Sequence, residues 1–101
     1  TDSTAVGADS SASGFNSAAF GTAAYAGDLL GTPDAIGDAT AIGGQAAAFA
    51  NSSTAVGAFA TATAQSSTAL GASSIATGVN SVALGQGSLA DEDDTVSVGA
   101  A

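Results

Sequence analysis

The chain has 101 residues, which suits one domain, and its nine acidic residues meet no Lys, Arg or His, so the formal net charge is −9. A chain with no cationic side chain lacks a group that grips phosphate, which argues against nucleic acid and anionic lipid as partners. Without His, Lys or Cys nothing can activate a hydroxyl nucleophile, so we expect no enzyme, no catalytic residue and no cofactor.

The supply of large apolar side chains is small. Ile, Leu, Val and Phe together number 18, a fraction more typical of disordered chains of high net charge. A chain of this kind folds only around a slender core that is backed by something else. The strict periodicity described next favours that slender core over disorder.

Alanine recurs at every seventh position across most of the chain. The period slips by one residue once, between Ala26 and Ala41. A repeat this strict indicates one small structural unit that is stacked on itself. The alanines in phase are Ala5, Ala12, Ala19, Ala26, Ala41, Ala48, Ala55, Ala62, Ala69, Ala76, Ala83 and Ala90.

The sevens pair into fourteens that contain two stretches of strand length. In the first half-unit a turn-forming residue opens the stretch, an alanine and a large apolar residue follow, and a glycine closes it. These openings are Asp2, Asn16, Asp38, Ser52, Ser66, Asn80 and Asp94. The second half-unit, with small residues at alternate positions, covers residues 10–14, 24–27, 46–50, 60–64, 74–78 and 88–92.

Two short strands and two turns per fourteen residues predict a parallel β-solenoid in which successive coils pair at about 4.8 Å. A coiled coil is a poor second, since it needs two large apolar residues per heptad and the steady residue here is alanine. The coils occupy residues 1–27 and 38–99 of a single domain. Residues 28–37, which hold the only proline, predict an irregular insertion between coils.

Alternation within the strands predicts which side chains lie inside. We place the large apolar side chains in the core of the single chain and the alanines of the first strand on a flat outer face that packs against identical chains. The predicted core is Val6, Phe20, Ile42, Val56, Leu70, Val82, Leu84, Val96 and Val98. The predicted interface of a symmetric homo-oligomer is Ala5, Ala19, Ala41, Ala55, Ala69, Ala83 and Ser97.

Residues 80–85 read Asn-Ser-Val-Ala-Leu-Gly and are followed by Ser88 and Ala90, and residues 94–99 read Asp-Thr-Val-Ser-Val-Gly. This pattern resembles the head repeat of YadA-like trimeric autotransporter adhesins, and residues 94–101 resemble the start of the transition to the neck. The resemblance implies a left-handed parallel β-roll, a homotrimer, and display on a Gram-negative cell surface above a membrane anchor outside this fragment. It also implies attachment to collagen, fibronectin or laminin, to cells, or to other bacteria.

Two other functions stay open. An ice-binding solenoid would present flat threonine columns, and Thr40, Thr54 and Thr68 do recur every fourteen residues, although in the slot assigned to the interior. A passive spacer in a surface fibre would bind nothing.

Candidate sites are few because repetition makes every coil nearly equivalent. The acidic run 91–94 lacks the spacing and the glycine bend of a calcium loop, so we expect a solvated turn and no metal. The candidate ligand contacts lie on the second strand and in the insertion: Tyr25, Leu29, Leu30, Thr61, Thr63 and Thr77.

Overall fold

A computed structural model describes residues 3–27 and 37–99, and over these residues the chain is an all-β parallel solenoid of about six turns with coils of about 14 residues. The longer strands form sheet A: β1 (Thr4–Val6), β3 (Ala18–Phe20), β5 (Thr40–Ile42), β7 (Thr54–Val56), β9 (Thr68–Leu70), β11 (Val82–Leu84) and β13 (Val96–Val98). The two-residue strands form sheet B: β2 (Ser11–Ala12), β4 (Tyr25–Ala26), β6 (Ala47–Ala48), β8 (Thr61–Ala62), β10 (Ile75–Ala76) and β12 (Leu89–Ala90).

Within residues 3–27 and 37–99 the coils close through tight turns, and each of these turns holds one residue in the left-handed backbone region, with φ near +60°. In the turn that leads from sheet B to sheet A, this residue is Asn, Asp or Ser, which tolerate that conformation best after glycine. The predicted openings of the first half-unit are therefore confirmed as turn residues for Asn16, Asp38, Ser52, Ser66, Asn80 and Asp94. The opposite turn puts Asp9, Ala23, Gln45, Phe59 and Ser73 in the same region.

Coils stack in register, so each strand residue lies beside its equivalent in the next coil. Ala55 pairs with Ala69, fourteen residues on, whereas Ala19 pairs with Ala41, twenty-two residues on. The insertion therefore adds eight residues (22 less 14) without disturbing the ladder of sheet A. Residues 28–36 themselves lie outside the described residues, and Gly37 forms an isolated parallel bridge with Phe15.

The interior is built from the smallest side chains, and our prediction of the core is wrong. In the described part of the chain, the largest fully buried side chains are serines, and every buried hydrophobic residue is alanine. The two sheets lie back to back across turns of only a few residues, and the space between them fits methyl and hydroxymethyl groups. The buried alanines are Ala19, Ala24, Ala26, Ala39, Ala41, Ala46, Ala48, Ala55, Ala60, Ala62, Ala69, Ala76, Ala83 and Ala90.

The large side chains predicted as core point outward instead, because residues on either side of an inward alanine face the other side of the sheet. Leu70 is 36% exposed, Phe20 40% and Val98 76%. This correction applies to Val6, Phe20, Ile42, Val56, Leu70, Val82, Leu84, Val96 and Val98.

The predicted interface is wrong for the same reason, since a buried methyl group cannot touch another chain. Ala19, Ala41, Ala55, Ala69 and Ala83 are fully buried inside their own solenoid. Ala5 and Ser97 occupy the same inward column in the first and last strands of sheet A, where Ala5 is exposed and Ser97 half-buried.

Candidate functional site on the outer face of sheet A

The outer face of sheet A carries a continuous line of large apolar side chains. Register pairing places Ile42 beside Val56 and Leu70 beside Leu84, so like stacks on like from coil to coil. Most of these side chains are exposed in the single chain. Together they form a continuous apolar patch, whereas exposed hydrophobic residues on a monomer are usually scattered singly. We call this line the apolar column: Val6, Phe20, Ile42, Val56, Leu70, Leu84 and Val98.

A second line runs beside the apolar column, two residues earlier in each strand. Its middle members, Thr40, Thr54 and Thr68, are half-buried and point outward. Our assignment of these threonines to the interior is therefore also wrong. We call it the threonine column: Thr4, Ala18, Thr40, Thr54, Thr68, Val82 and Val96. Together the two columns make a flat face of methyl and larger apolar groups.

This face carries no charge within the described residues. The acidic residues of the described part of the chain lie elsewhere, in turns or directly after β12: Asp9, Asp38, Asp91, Glu92, Asp93 and Asp94. Absence of charge combined with exposed branched side chains is the composition of the buried centre of a protein interface. The outer face of sheet A is therefore suited to cover by another surface.

Sheet B presents a more mixed outer face, and four of the six predicted ligand contacts lie in its strands or directly after them. Thr63 and Thr77 are exposed, whereas Thr61 is half-buried. The half-buried Tyr25 contacts Phe49 edge to face, with ring centroids 5.6 Å apart. The two aromatic rings belong to neighbouring coils. Leu29 and Leu30, the other predicted contacts, lie outside the described residues.

The acidic turn contributes to coil stacking. The Oδ1 atom of Asp93 accepts a hydrogen bond from the Val79 N–H at 2.8 Å, and Oδ1 of Asp94 accepts one from Asn80 Nδ2 at 2.9 Å. Over residues 3–27 and 37–99, no three His, Cys, Asp or Glu side chains come close enough to hold a metal ion. The same residues contain no helix long and apolar enough to cross a membrane.

The family model for the YadA head domain repeat matches residues 1–24, 37–60, 51–74, 62–88 and 76–101. The chain belongs to this family. The resemblance seen in residues 80–85 is thereby confirmed, and the stretch without a match, residues 25–36, coincides with most of the predicted insertion. Comparison with curated proteins gave no significant match. YadA heads are non-enzymatic adhesive domains of trimeric autotransporter adhesins from Gram-negative cell surfaces.

Two features of this YadA head escaped the sequence analysis. The first is the outward threonine column, and the second is a set of buried serines that bind the backbone of their own turn. The Oγ atom of Ser67 donates to the Ala64 carbonyl at 2.6 Å, and Ser53 and Ser81 do the same to Ala50 and Gly78. The available signal was position: serine recurs directly after the turn residues Ser52, Ser66 and Asn80.

Proposed function

We propose that this chain is the head of a bacterial surface adhesin that assembles as a homotrimer through the outer face of sheet A. The observation that carries the proposal is the exposed, uncharged face formed by the apolar and threonine columns. A single solenoid with an interior of Ala and Ser buries little apolar surface, so covering this face adds the burial that one chain lacks. The coils are left-handed in this proposal, as the family resemblance implies.

A second copy of the chain is the occupant that fits this face. The face repeats once per coil, at the strand spacing of about 4.8 Å, and an identical face repeats at the same spacing. Three copies around an axis parallel to the solenoid cover all these faces in a closed ring; closed symmetry is the common outcome for homo-oligomers, and the number three is what the family resemblance implies. The turns and sheet B then remain outside as the adhesive surface.

Attachment in this proposal is spread over sheet B and the turns, with Tyr25, Thr61, Thr63 and Thr77 among the contacts. Each trimer presents three equivalent surfaces, so shallow contacts gain avidity. The targets are host matrix proteins of the collagen, fibronectin or laminin class, host cells or other bacteria. Because the chain has no cationic side chain, any charge attraction must come from basic groups on the target.

A binding screen with the purified protein tests this function. Sedimentation first establishes the oligomeric state, and immobilised collagen, fibronectin and laminin are then probed at low and high salt. Saturable binding to any of them by the trimer supports an adhesin. A trimer that binds none of them, and that does not join bacteria or cells, favours the passive spacer.

An ice-binding function has one observation in its favour, the outward threonine column. Thr40, Thr54 and Thr68 stack in register on a flat sheet. The column continues as Ala18, Val82 and Val96, however, and the line beside it is apolar. A measurement of thermal hysteresis separates the two functions, because an ice-binding solenoid depresses the freezing point and an adhesin does not.

A further inference from the structure

One coil of sheet A departs from the pattern of its neighbours in both columns at once. In β3 the threonine column holds Ala18, its smallest member, while the apolar column holds Phe20, its only aromatic member. The other strands of sheet A pair Thr or Val with Val, Ile or Leu. The smallest and the largest side chains of the face therefore lie at the same level.

Nothing in the described residues requires this pairing. Both side chains point outward, and along a strand such residues are separated by about 7 Å. Phe20 keeps 40% of its surface exposed, although Val6 and Ile42 flank it in the ladder. A large part of the Phe20 side chain is thus available to a neighbouring surface.

We propose that in the trimer the ring of Phe20 from one copy packs over Ala18 of the next copy, and this inference rests on the proposed trimer. In a closed ring each copy offers one side of its face to one neighbour and the other side to the second neighbour. Rotation about the axis keeps equivalent coils at the same height. The large ring of one chain then meets the gap that the small alanine leaves on the adjacent chain.

The consequence is a fixed axial register. Thr40, Thr54 and Thr68 are identical, so much of the face fits almost as well after a shift of one coil. A shift by one coil would press Phe20 against Thr4 or Thr40, which overpacks the contact, and would leave a void over Ala18. The pair therefore penalises staggered assemblies, which is how a repetitive surface specifies one arrangement.

A double-mutant cycle tests the contact. Ala18→Thr fills the space over residue 18, and Phe20→Val removes the ring that packs into that space. We expect each substitution to raise the concentration at which the trimer half-dissociates by about tenfold or more. The combined variant recreates the Thr–Val pair of β1 and β7, so most of the lost stability should return. Ala47→Thr on the outer face of sheet B controls for the change in strand propensity and should leave dissociation unchanged.

A second experiment starts from the combined variant, which lacks the alanine–phenylalanine pair in β3, and introduces the pair at other coils. Thr54→Ala with Val56→Phe places the small and large residues in one coil, whereas Thr54→Ala with Leu70→Phe splits them between adjacent coils. We expect the first trimer to be clearly more stable than the second, as measured by sedimentation equilibrium. Equal stability of these two trimers, or additive losses in the cycle, overturns the inference and leaves the trimer standing. A monomeric unsubstituted chain overturns both the proposed trimer and the inference.

Discussion

Ala69 and Leu70 are consecutive residues of one strand, and the smaller is fully buried while the larger is 36% exposed. The same inversion recurs along sheet A, as in Ala41 and Ile42 or Ala19 and Phe20. The alanine methyl groups of sheet A thus lie in the interior, and its large apolar side chains lie on the outer face. A single solenoid of this design is stabilised by close contact of two sheets rather than by bulky side chains.

Replacing an interior alanine by a larger residue should strongly destabilise the fold. Ala69 stacks between Ala55 and Ala83, so the additional carbons of Ala69→Leu find no space between the sheets. We expect the free energy of unfolding to fall by about 3 kcal/mol or more, measured by chemical denaturation. The matched control is Thr68→Val in the same strand, an outward change that β11 already contains as Val82, with an effect of roughly 0.5 kcal/mol or less. Equal losses in the two variants would contradict the inward assignment of Ala69.

The glycine that closes each sheet-A strand should resist substitution by alanine. Gly57 has φ +128°, and a Cβ there would lie 2.7 Å from the carbonyl carbon of Gly71 in the next coil. Gly57→Ala should therefore lower the free energy of unfolding by about 2 kcal/mol or more. Gly44 has no heavy atom within 4 Å of such a Cβ, so Gly44→Ala serves as control with a change of roughly 0.5 kcal/mol. Thermal unfolding followed by circular dichroism compares the two.

Two buried serines should respond differently to the loss of their hydroxyl groups. The Oγ atom of Ser67 donates to the Ala64 carbonyl and accepts from the Ala64 N–H at 3.3 Å. Ser67→Ala leaves both groups without this partner and should cost about 1 kcal/mol. The Oγ atom of Ser88 is buried with no hydrogen-bond partner among the described residues, so Ser88→Ala should be neutral or stabilising. Denaturation midpoints that fall equally in both variants would argue against this role of Ser67.

A charge on the outer face of sheet A should dissociate the trimer without unfolding the chain. Leu70→Glu places a carboxylate in the middle of the apolar column, where the proposed interface would have to desolvate it. We expect a shift toward monomer of at least tenfold in dissociation concentration, measured by sedimentation. Leu89→Glu, an equally large change on the exposed outer face of sheet B, is the control and should keep the trimer. Dissociation by Leu89→Glu alone would place the interface on sheet B.

Much of the architecture was predictable because the repeat is visible in the residues themselves. Glycines such as Gly57 and turn residues such as Asn80 mark the ends of strands, and their fourteen-residue spacing gives the coil. The YadA resemblance rested on residues 80–85 and was confirmed by the family match. The sequence prediction put the large side chains of sheet A inside and its alanines outside, which is the reverse of what the structure shows.

Alternation with a period of two therefore came from the amino acids alone, and with it the strands, the turns and the stacking of equivalent residues. Which of the two faces of sheet A looks inward was decided only in three dimensions. Both residues are apolar, and hydrophobicity alone, which is greater for leucine, does not predict that Ala69 lies inside and Leu70 outside. The narrow space between the sheets does, because tight turns bring the two backbones so close that only methyl and hydroxymethyl groups fit.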